Sequence, residues 1–386
     1  MNPRRDELLR FRPHWCIYWA NSFARSQLDI WLPILERSAY RYVVFLDGPG
    51  TLPANLAALE EGGRLLFAQS SLTEKRWLHD VPTLRGFLYV SNKNRIFGNV
   101  GEFRGQPHVF IGHGESAKAS SGSRVAALYD SVFLADYGAA SRFPRRIRKQ
   151  VSRNALAIGA PIIDGLESGG HTAGAAPAKP VVLFAPTWEG HSDHKDYSSL
   201  PEVGPLLAEL VAAGRVEAVL RPHPGNGKRS EGHRAAAEGL WSAGARKPGR
   251  KADDARRADV MIGDLSGATS ELLFTRKPMI IPVGRALAGV SVSARSVRRD
   301  YPWAYVWEVE KESLADVVDR AVGIDPLRAR RERSANRIFR SHRDVEEAAH
   351  TFDRALGAVW NFRNPVVRRL RFEASMARRE RLGKRS

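Results

Sequence analysis

Eleven short apolar runs, uninterrupted by polar residues, set the terms on which this chain folds. They are CIYWA (16–20), YVVFLD (42–47), RLLFAQ (64–69), FLYVS (87–91), HVFIG (108–112), SVFLAD (131–136), ALAIG (155–159), VVLFAP (181–186), EAVLRP (217–222), DVMIGD (259–264) and PMIIPV (278–283). Their length and their β-branched and aromatic content favour strands. Continuous rather than alternating hydrophobicity asks for burial on both faces, as in a parallel sheet covered by helices. Helical stretches fall between them, including 203–213 and 270–276. The chain has 386 residues, more than one hydrophobic core serves. A Gly/Ala/Pro-rich stretch, GLESGGHTAGAAPAKP (165–180), interrupts the pattern and reads as a linker. The expectation is an α/β protein of two units: 1–164, then the linker 165–180, then 181–340. Helices and a basic tail follow over 341–386. From about 326 the chain reads as helical and basic, with Ile338, Phe339, Ala349, Phe352, Leu356 and Trp360 at helix-compatible spacings. Asn364 and Pro365 start a further helix.

Charge speaks to partners. The net charge is +18, and residues 361–386 alone hold nine Lys/Arg against two Glu. Such a balance suits nucleic acid, anionic lipid or phosphate-rich substrates. The tail segment 365–382 reads either as a basic amphipathic helix on anionic headgroups or as a solvated tail. A zinc framework and an aromatic-basic RNA-binding signature are both missing, so a nucleic-acid partner is not expected. The single cysteine, Cys16, lies in an apolar run; it excludes an internal disulfide framework and fits a reducing compartment. No apolar run approaches the length of a membrane span, and the N-terminus MNPRRDELLRFRPHW lacks a signal core, so a cytoplasmic location is expected.

In open α/β sheets, ligands bind beyond the carboxyl ends of the strands. Four strand ends carry polar residues that structure alone does not require. GHGESAK (112–118) sets His113 on a glycine-flanked turn, able to accept a proton near neutral pH or simply to bond a loop. FAPTWEG (184–190) brings Thr187 and Trp188 to the crevice; the indole either stacks on a base or caps the core. HSDH (191–194), just beyond, reads as a polar loop rather than a metal site. VLRPHPGNGK (219–228) holds Arg221 and His223 between prolines, two donors suited to phosphate. DVMIGDLSGATSELLF (259–274) runs from Asp264 through Ser266, Gly267, Thr269 and Ser270 into a helix near Glu271. It makes either an anion site at a helix start or an ordinary capped turn, and it is not a Walker P-loop.

The ordered set resembles the CDP-glycerol glycerophosphotransferase family, the teichoic-acid primases and polymerases, over residues 85 to 285. The family's H-G-T-P-x-K stands here as HGESAK, its A-P-T-W as APTW (185–188), its R-x-H as RPH (221–223) and its D-Y-S-S-x-x-x-D as DLSGATSE (264–271). GAP (159–161) matches its G-x-P. The resemblance implies the glycosyltransferase-B architecture, two Rossmann-like domains facing across a cleft, with C-terminal helices that cross back to the first. It implies transfer of glycerol phosphate, or a related alditol phosphate, from a CDP-linked donor to a hydroxyl of a lipid-linked or polymeric acceptor. CMP is released in making a cell-wall or capsule polymer, and no cofactor or metal is needed. His113 would be the base, with Glu115 beside it and Lys118 at the acceptor or a phosphate. Arg221, His223, Ser266, Gly267, Thr269 and Ser270 would hold the diphosphate. Thr187, Trp188, Asp264 and Glu271 would line the rest of the donor site. The family works at the inner membrane face, which implies a peripheral protein with the tail on the membrane. Glu115 and Ser116 replace Thr and Pro, Gly267 replaces the second Ser, and Glu189 stands where the family often has a basic residue. A glycosyltransferase using a nucleotide sugar on the same fold is the alternative.

Overall fold

The fold was analysed in a computed structural model, which describes residues 3–19, 26–47, 63–70, 75–91, 96–112, 124–166, 179–190, 192, 196–284, 293–362 and 373. Two compact units emerge. The first comprises 1–114, 119–162 and 338–386, and the second 115–118 and 163–337.

In the first unit, seven parallel strands form one sheet: β1 (Trp15–Trp19), β2 (Tyr42–Asp47), β3 (Leu65–Ser70), β4 (Gly86–Tyr89), β5 (His108–Phe110), β6 (Ser131–Leu134) and β7 (Ala155–Ala157). Their order is β3-β2-β1-β4-β5-β6-β7, the doubly wound order that reverses between β1 and β4. Strands β1, β4, β5 and β6 are buried at every position, as their unbroken apolar sequence requires. The inert thiol of Cys16 sits in this core, its pKa raised by burial.

The helix Val345–Asn361 belongs to the same unit and packs on the helix Leu32–Arg37. Phe352 meets Trp31 at 5.4 Å between ring centroids and Phe133 at 5.7 Å. Asp353 accepts hydrogen bonds from the Ser38 hydroxyl and the Ala39 N–H. Burial raises the Asp353 pKa, and those two donors offset part of the rise.

The second unit is a five-stranded parallel sheet of β8 (Val181–Ala185), β9 (Glu217–Leu220), β10 (Val260–Gly263), β11 (Met279–Val283) and β12 (Tyr305–Glu308). Its order is β12-β11-β10-β8-β9, which reverses between β8 and β10. The helix Leu200–Ala212 packs on the helix Glu231–Ser242. The helix Arg328–Ile338 carries Arg331, fully buried, which bonds the Asp325 carboxylate and donates 2.7 Å to the Arg276 carbonyl. Among the described residues, no helix is long and apolar enough to cross a membrane.

The expected linker core, residues 167–178, and the tail beyond 362, apart from Glu373, lie outside the described residues.

Candidate functional site

Three of the four motif loops converge in the second unit. Phe184 pairs with Leu220 and Ala185 with Gly263, so the loops after β9, β8 and β10 leave the carboxyl edge side by side. The gap between β8 and β10 is the reversal point of the strand order, where open α/β sheets bind ligands. Asp264 is buried and stitches across this gap. Its Oδ2 accepts the N–H of Thr187 at 2.6 Å and of Ser199 at 3.2 Å. Its carbonyl accepts the Thr269 hydroxyl at 2.6 Å. Asp264 and Thr269 therefore build the loop, and Thr269 has no hydroxyl proton left for a phosphate.

Glu189 organises the β8 and β9 loops together. It is 1% exposed. Its Oε1 accepts from Arg229 N at 2.7 Å, and its Oε2 accepts from Ser230 N at 3.1 Å and Gly227 N at 3.2 Å. Its own N–H donates to Asn226 Oδ1 at 3.0 Å, and Arg229 Nη2 donates to its carbonyl at 3.1 Å. Burial pushes its pKa up, but the three backbone N–H groups and nearby His233 outweigh that and hold it below the usual carboxylate value. A ring of backbone N–H groups at a helix start is an anion site; here the protein's own carboxylate fills it.

Behind Glu189 lies a buried pair that sequence reasoning missed. His233 sets Nδ1 3.7 Å from Glu189 Oε2 and Nε2 3.3 Å from Asp196 Oδ2. Asp196 has its pKa raised by burial, opposed by the Ser198 N–H. His233 and Asp196 sit 37 residues apart in ordinary helix and loop sequence, with no local signal to link them.

Because Glu189 fixes the backbone beside it, Trp188 lies flat on the β9 loop. A Cβ on Gly225 would stand 2.5 Å from the indole Nε1, so only glycine permits this seat. The Trp188 and His223 rings lie 6.2 Å apart, tilted by 34°. Gly225 N–H donates to His223 Nδ1 at 3.0 Å, which leaves the neutral ring's proton on Nε2. His223 is exposed and Trp188 half-buried, so this edge sets an imidazole beside an aromatic face.

Arg221 is placed differently from the phosphate clamp expected of it. Nε and Nη2 donate to Asp254 Oδ2 at 3.2 and 2.8 Å, and Nη2 also bonds the Gly249 carbonyl. Three of its five N–H donors are thus committed to anchoring the loop; only the Nη1 pair remains for a ligand. Glu271 is ion-paired with Lys251. Ser266 caps the six-residue helix Gly267–Leu272, its Oγ accepting from Thr269 N at 3.3 Å. Ser270 is buried in that first turn. Gly267 has open space: a Cβ there would meet only Glu271 Oε1, at 3.5 Å.

The fourth motif follows β5 in the first unit. His113, Glu115 and Lys118 lie outside the described residues, as do His191, Asp193 and His194. Gly112, which leads into His113, has φ +68°, a conformation open to glycine. Its carbonyl accepts Trp31 Nε1–H at 2.8 Å, and Trp31 is the ring packed on Phe352. The β5 end stands one strand away from the β1/β4 reversal of this sheet. Among the described residues, no group of three His, Cys, Asp or Glu side chains is arranged to hold a metal.

No family model matches the sequence, and no curated protein matches it. Solved structures do. The S. aureus MnaA–UDP complex aligns with TM-score 0.57 and 13% identity, over 90% of this chain and 97% of that one. Anabaena HepE in complex with UDP and glucose aligns with TM-score 0.54 and 13% identity, over 89% and 99%. The wall teichoic acid polymerase TagF, in a variant soaked with CDPG, aligns with TM-score 0.51 and 11% identity, over 91% and 90%. These likenesses show the fold: α/β, with the two Rossmann-like units of the glycosyltransferase-B architecture.

Proposed function

We propose that the chain is a transferase that moves glycerol phosphate, or a related alditol phosphate, from a CDP-linked donor to an acceptor hydroxyl, releasing CMP. One observation carries the reading. The APTW, RPH and DLSGATSE segments, far apart in sequence, leave β8, β9 and β10 side by side at the reversal point of the second sheet. The likeness of the fold to TagF supports the same reading.

In this reading His223 donates Nε2–H to the diphosphate. The Ser266–Ser270 turn offers backbone N–H groups, and the Nη1 hydrogens of Arg221 add charge. Trp188 provides a face for the base. His113 draws the proton from the attacking hydroxyl, and Glu115 and Lys118 act beside it. Glu271, its charge balanced by Lys251, accepts from donor hydroxyls. Positioning and electrostatics carry the rate in such transfers, and no cofactor is called for. The acceptor is lipid-linked or polymeric, and the protein works peripherally at the inner membrane face.

A nucleotide-sugar glycosyltransferase is the second reading. It is favoured by the likeness to two proteins solved with UDP and by the missing hydroxyl at Gly267. Purified protein incubated with CDP-glycerol, CDP-ribitol and UDP-linked sugars separates them. The proposal expects nucleotide release from a CDP-alditol alone; release only from a UDP-sugar refutes it.

A further inference from the structure

Resting on the reading of the β8 and β9 loops as the donor site, we infer that His233 is a positioning residue of that site: a buried ring that braces Trp188 and the β9 loop while its cluster holds a second proton, and lets them go as pH rises. His233 lies on the helix Glu231–Ser242 and is 3% exposed. Each ring nitrogen faces a carboxylate, Nδ1 that of Glu189 at 3.7 Å and Nε2 that of Asp196 at 3.3 Å. Among the described residues neither nitrogen has a hydrogen-bond partner, so these two charges are what the ring answers to.

Proton counting sets the state of the cluster. A neutral imidazole carries one N–H and one lone pair. Whichever nitrogen held the lone pair would turn it on a buried, ionised carboxylate. Both contacts attract only when the three groups share two protons: both on the ring, or one on the ring and one on Asp196. Glu189 is not the place for the second proton, because three backbone N–H groups hold its carboxylate ionised. Asp196 is open to it, its pKa being raised by burial. With two protons the three groups together carry one negative charge. Arg229 balances it: Nη2 lies 4.0 Å from Asp196 Oδ2 and donates to the Glu189 carbonyl at 3.1 Å. Losing one proton leaves an unbalanced buried charge and a lone pair turned on a carboxylate, which is costly. The other charges on these elements lie apart. Glu231 and Arg234 pair with each other, and Lys228, Glu238 and Glu209 are exposed. Glu202, on the helix packed alongside, is half-buried. Among the described residues Glu189 and Asp196 alone come within ion-pair distance of the ring.

The two carboxylates are part of the site's own stitching. Glu189 holds the amides of Gly227, Arg229 and Ser230 and stands next to Trp188. Asp196 Oδ1 holds the Ser198 N–H at 2.9 Å, one residue before Ser199, whose N–H goes with that of Thr187 to Asp264. Pushing either carboxylate off the ring therefore disturbs the backbone on which Trp188 sits. The sign follows from linkage. A proton held more firmly in the assembled site than in the opened one stabilises it fully at low pH, and that contribution is lost as pH rises through the assembled-state value.

The test uses the full-length protein as wild type, His233→Gln and Asp196→Asn, from about pH 6 to about pH 8.5, a window that spans the titration of an imidazole. CDP-glycerol and UDP-glucose are the probes, because their esterified diphosphates do not titrate there. Affinity is read by titration calorimetry. Hydrogen exchange of peptides spanning 225–231, corrected for its intrinsic pH dependence, is read without nucleotide. Wild type should lose about tenfold in affinity across the window, the effect of one proton bound one unit more firmly in the assembled site. Protection of 225–231 should fall with it. Asp196→Asn supplies an amide N–H to Nε2 and removes the need for the second proton, so it should carry its low-pH affinity to the top of the window. His233→Gln cannot satisfy both carboxylates; it should start about tenfold weaker and stay there. Exposed imidazoles contribute alike in all three proteins, so the differences between them belong to the buried cluster. If His233→Gln misfolds, the comparison with Asp196→Asn stands alone. Variants that reproduce the wild-type pH curve overturn the inference, as does protection of 225–231 that does not fall with pH. Binding of neither probe by wild type at any pH refutes the donor reading instead, and the exchange curves then still decide whether the brace exists.

Discussion

Replacing Glu189 tests how the candidate site is held together, because that carboxylate binds three backbone N–H groups of the next loop while 1% exposed. In Glu189→Gln one oxygen becomes an NH2 group. If the remaining oxygen keeps the Gly227 and Ser230 donors, Arg229 N–H faces a donor and is orphaned. The loss is one charge-assisted bond plus one buried unsatisfied amide, about 2–3 kcal/mol after allowing for relaxation. In Glu189→Ala all three amides are orphaned and the expected loss is about 3–5 kcal/mol. Hydrogen exchange of peptides spanning 225–231, together with denaturant unfolding, reads both. Exchange should quicken in that segment and around 186–190 first, with the helix Arg328–Ile338 unaffected in the glutamine variant. The pH dependence has a definite sign. The Glu189 pKa is depressed in the folded protein, so its contribution is fully present above the unfolded value of about 4.3 and is lost as pH falls through the folded value. Glutamine should therefore flatten the acid limb of the stability curve. A loss under about 0.5 kcal/mol, or an unaltered acid limb, would refute the reasoning.

Four further outcomes are expected. Gly225→Ala should displace the Trp188 indole and weaken nucleotide binding by titration calorimetry without lowering the melting temperature much; unchanged affinity would show that the indole's seat does not matter. Trp31→Phe removes the donor to the Gly112 carbonyl. It should lower turnover roughly 10–100-fold with nucleotide affinity intact, as a small misplacement of a reacting group does; equal losses in both would assign Trp31 to general stability. Gly267→Ser enters open space and should fold normally. It should tighten a CDP-linked donor by about 1 kcal/mol, roughly fivefold, and no change would remove that turn from the donor contacts. Arg331→Ala takes the cation from the buried Asp325 carboxylate, which keeps the Tyr305 hydroxyl as a donor, and should cost about 3–5 kcal/mol in chemical denaturation.

All eleven apolar runs became strands, because burial on both faces leaves a local signature that needs no knowledge of the partners. The twelfth strand, β12, was missed. Its sequence YVWE alternates buried and half-buried positions at the sheet edge and is too short to stand out. The stop between the two C-terminal helices was also invisible, because Arg340 and Ser341 take positive φ where no glycine advertises it. At the site, the order of the motifs was legible and their side chains' commitments were not. Arg221 is held by Asp254, 33 residues later, and Asp353 by Ser38, 315 residues earlier. Glu189 read as a departure from a basic position; the backbone N–H groups that donate to it lie on a loop nearly 40 residues on. Such partnerships belong to the fold, and local sequence carries no trace of them.

Which bond breaks in the donor tests the central claim most directly. Wild-type protein with CDP-glycerol and a hydroxyl-bearing acceptor is followed by phosphorus NMR, with His223→Ala in parallel. The account predicts that the nucleotide leaves as the monophosphate, CMP, that the acceptor gains a phosphodiester, and that the variant is slowed at sub-saturating donor. A nucleotide leaving only as an intact diphosphate, from a UDP-linked sugar, with CDP-glycerol untouched, would contradict it.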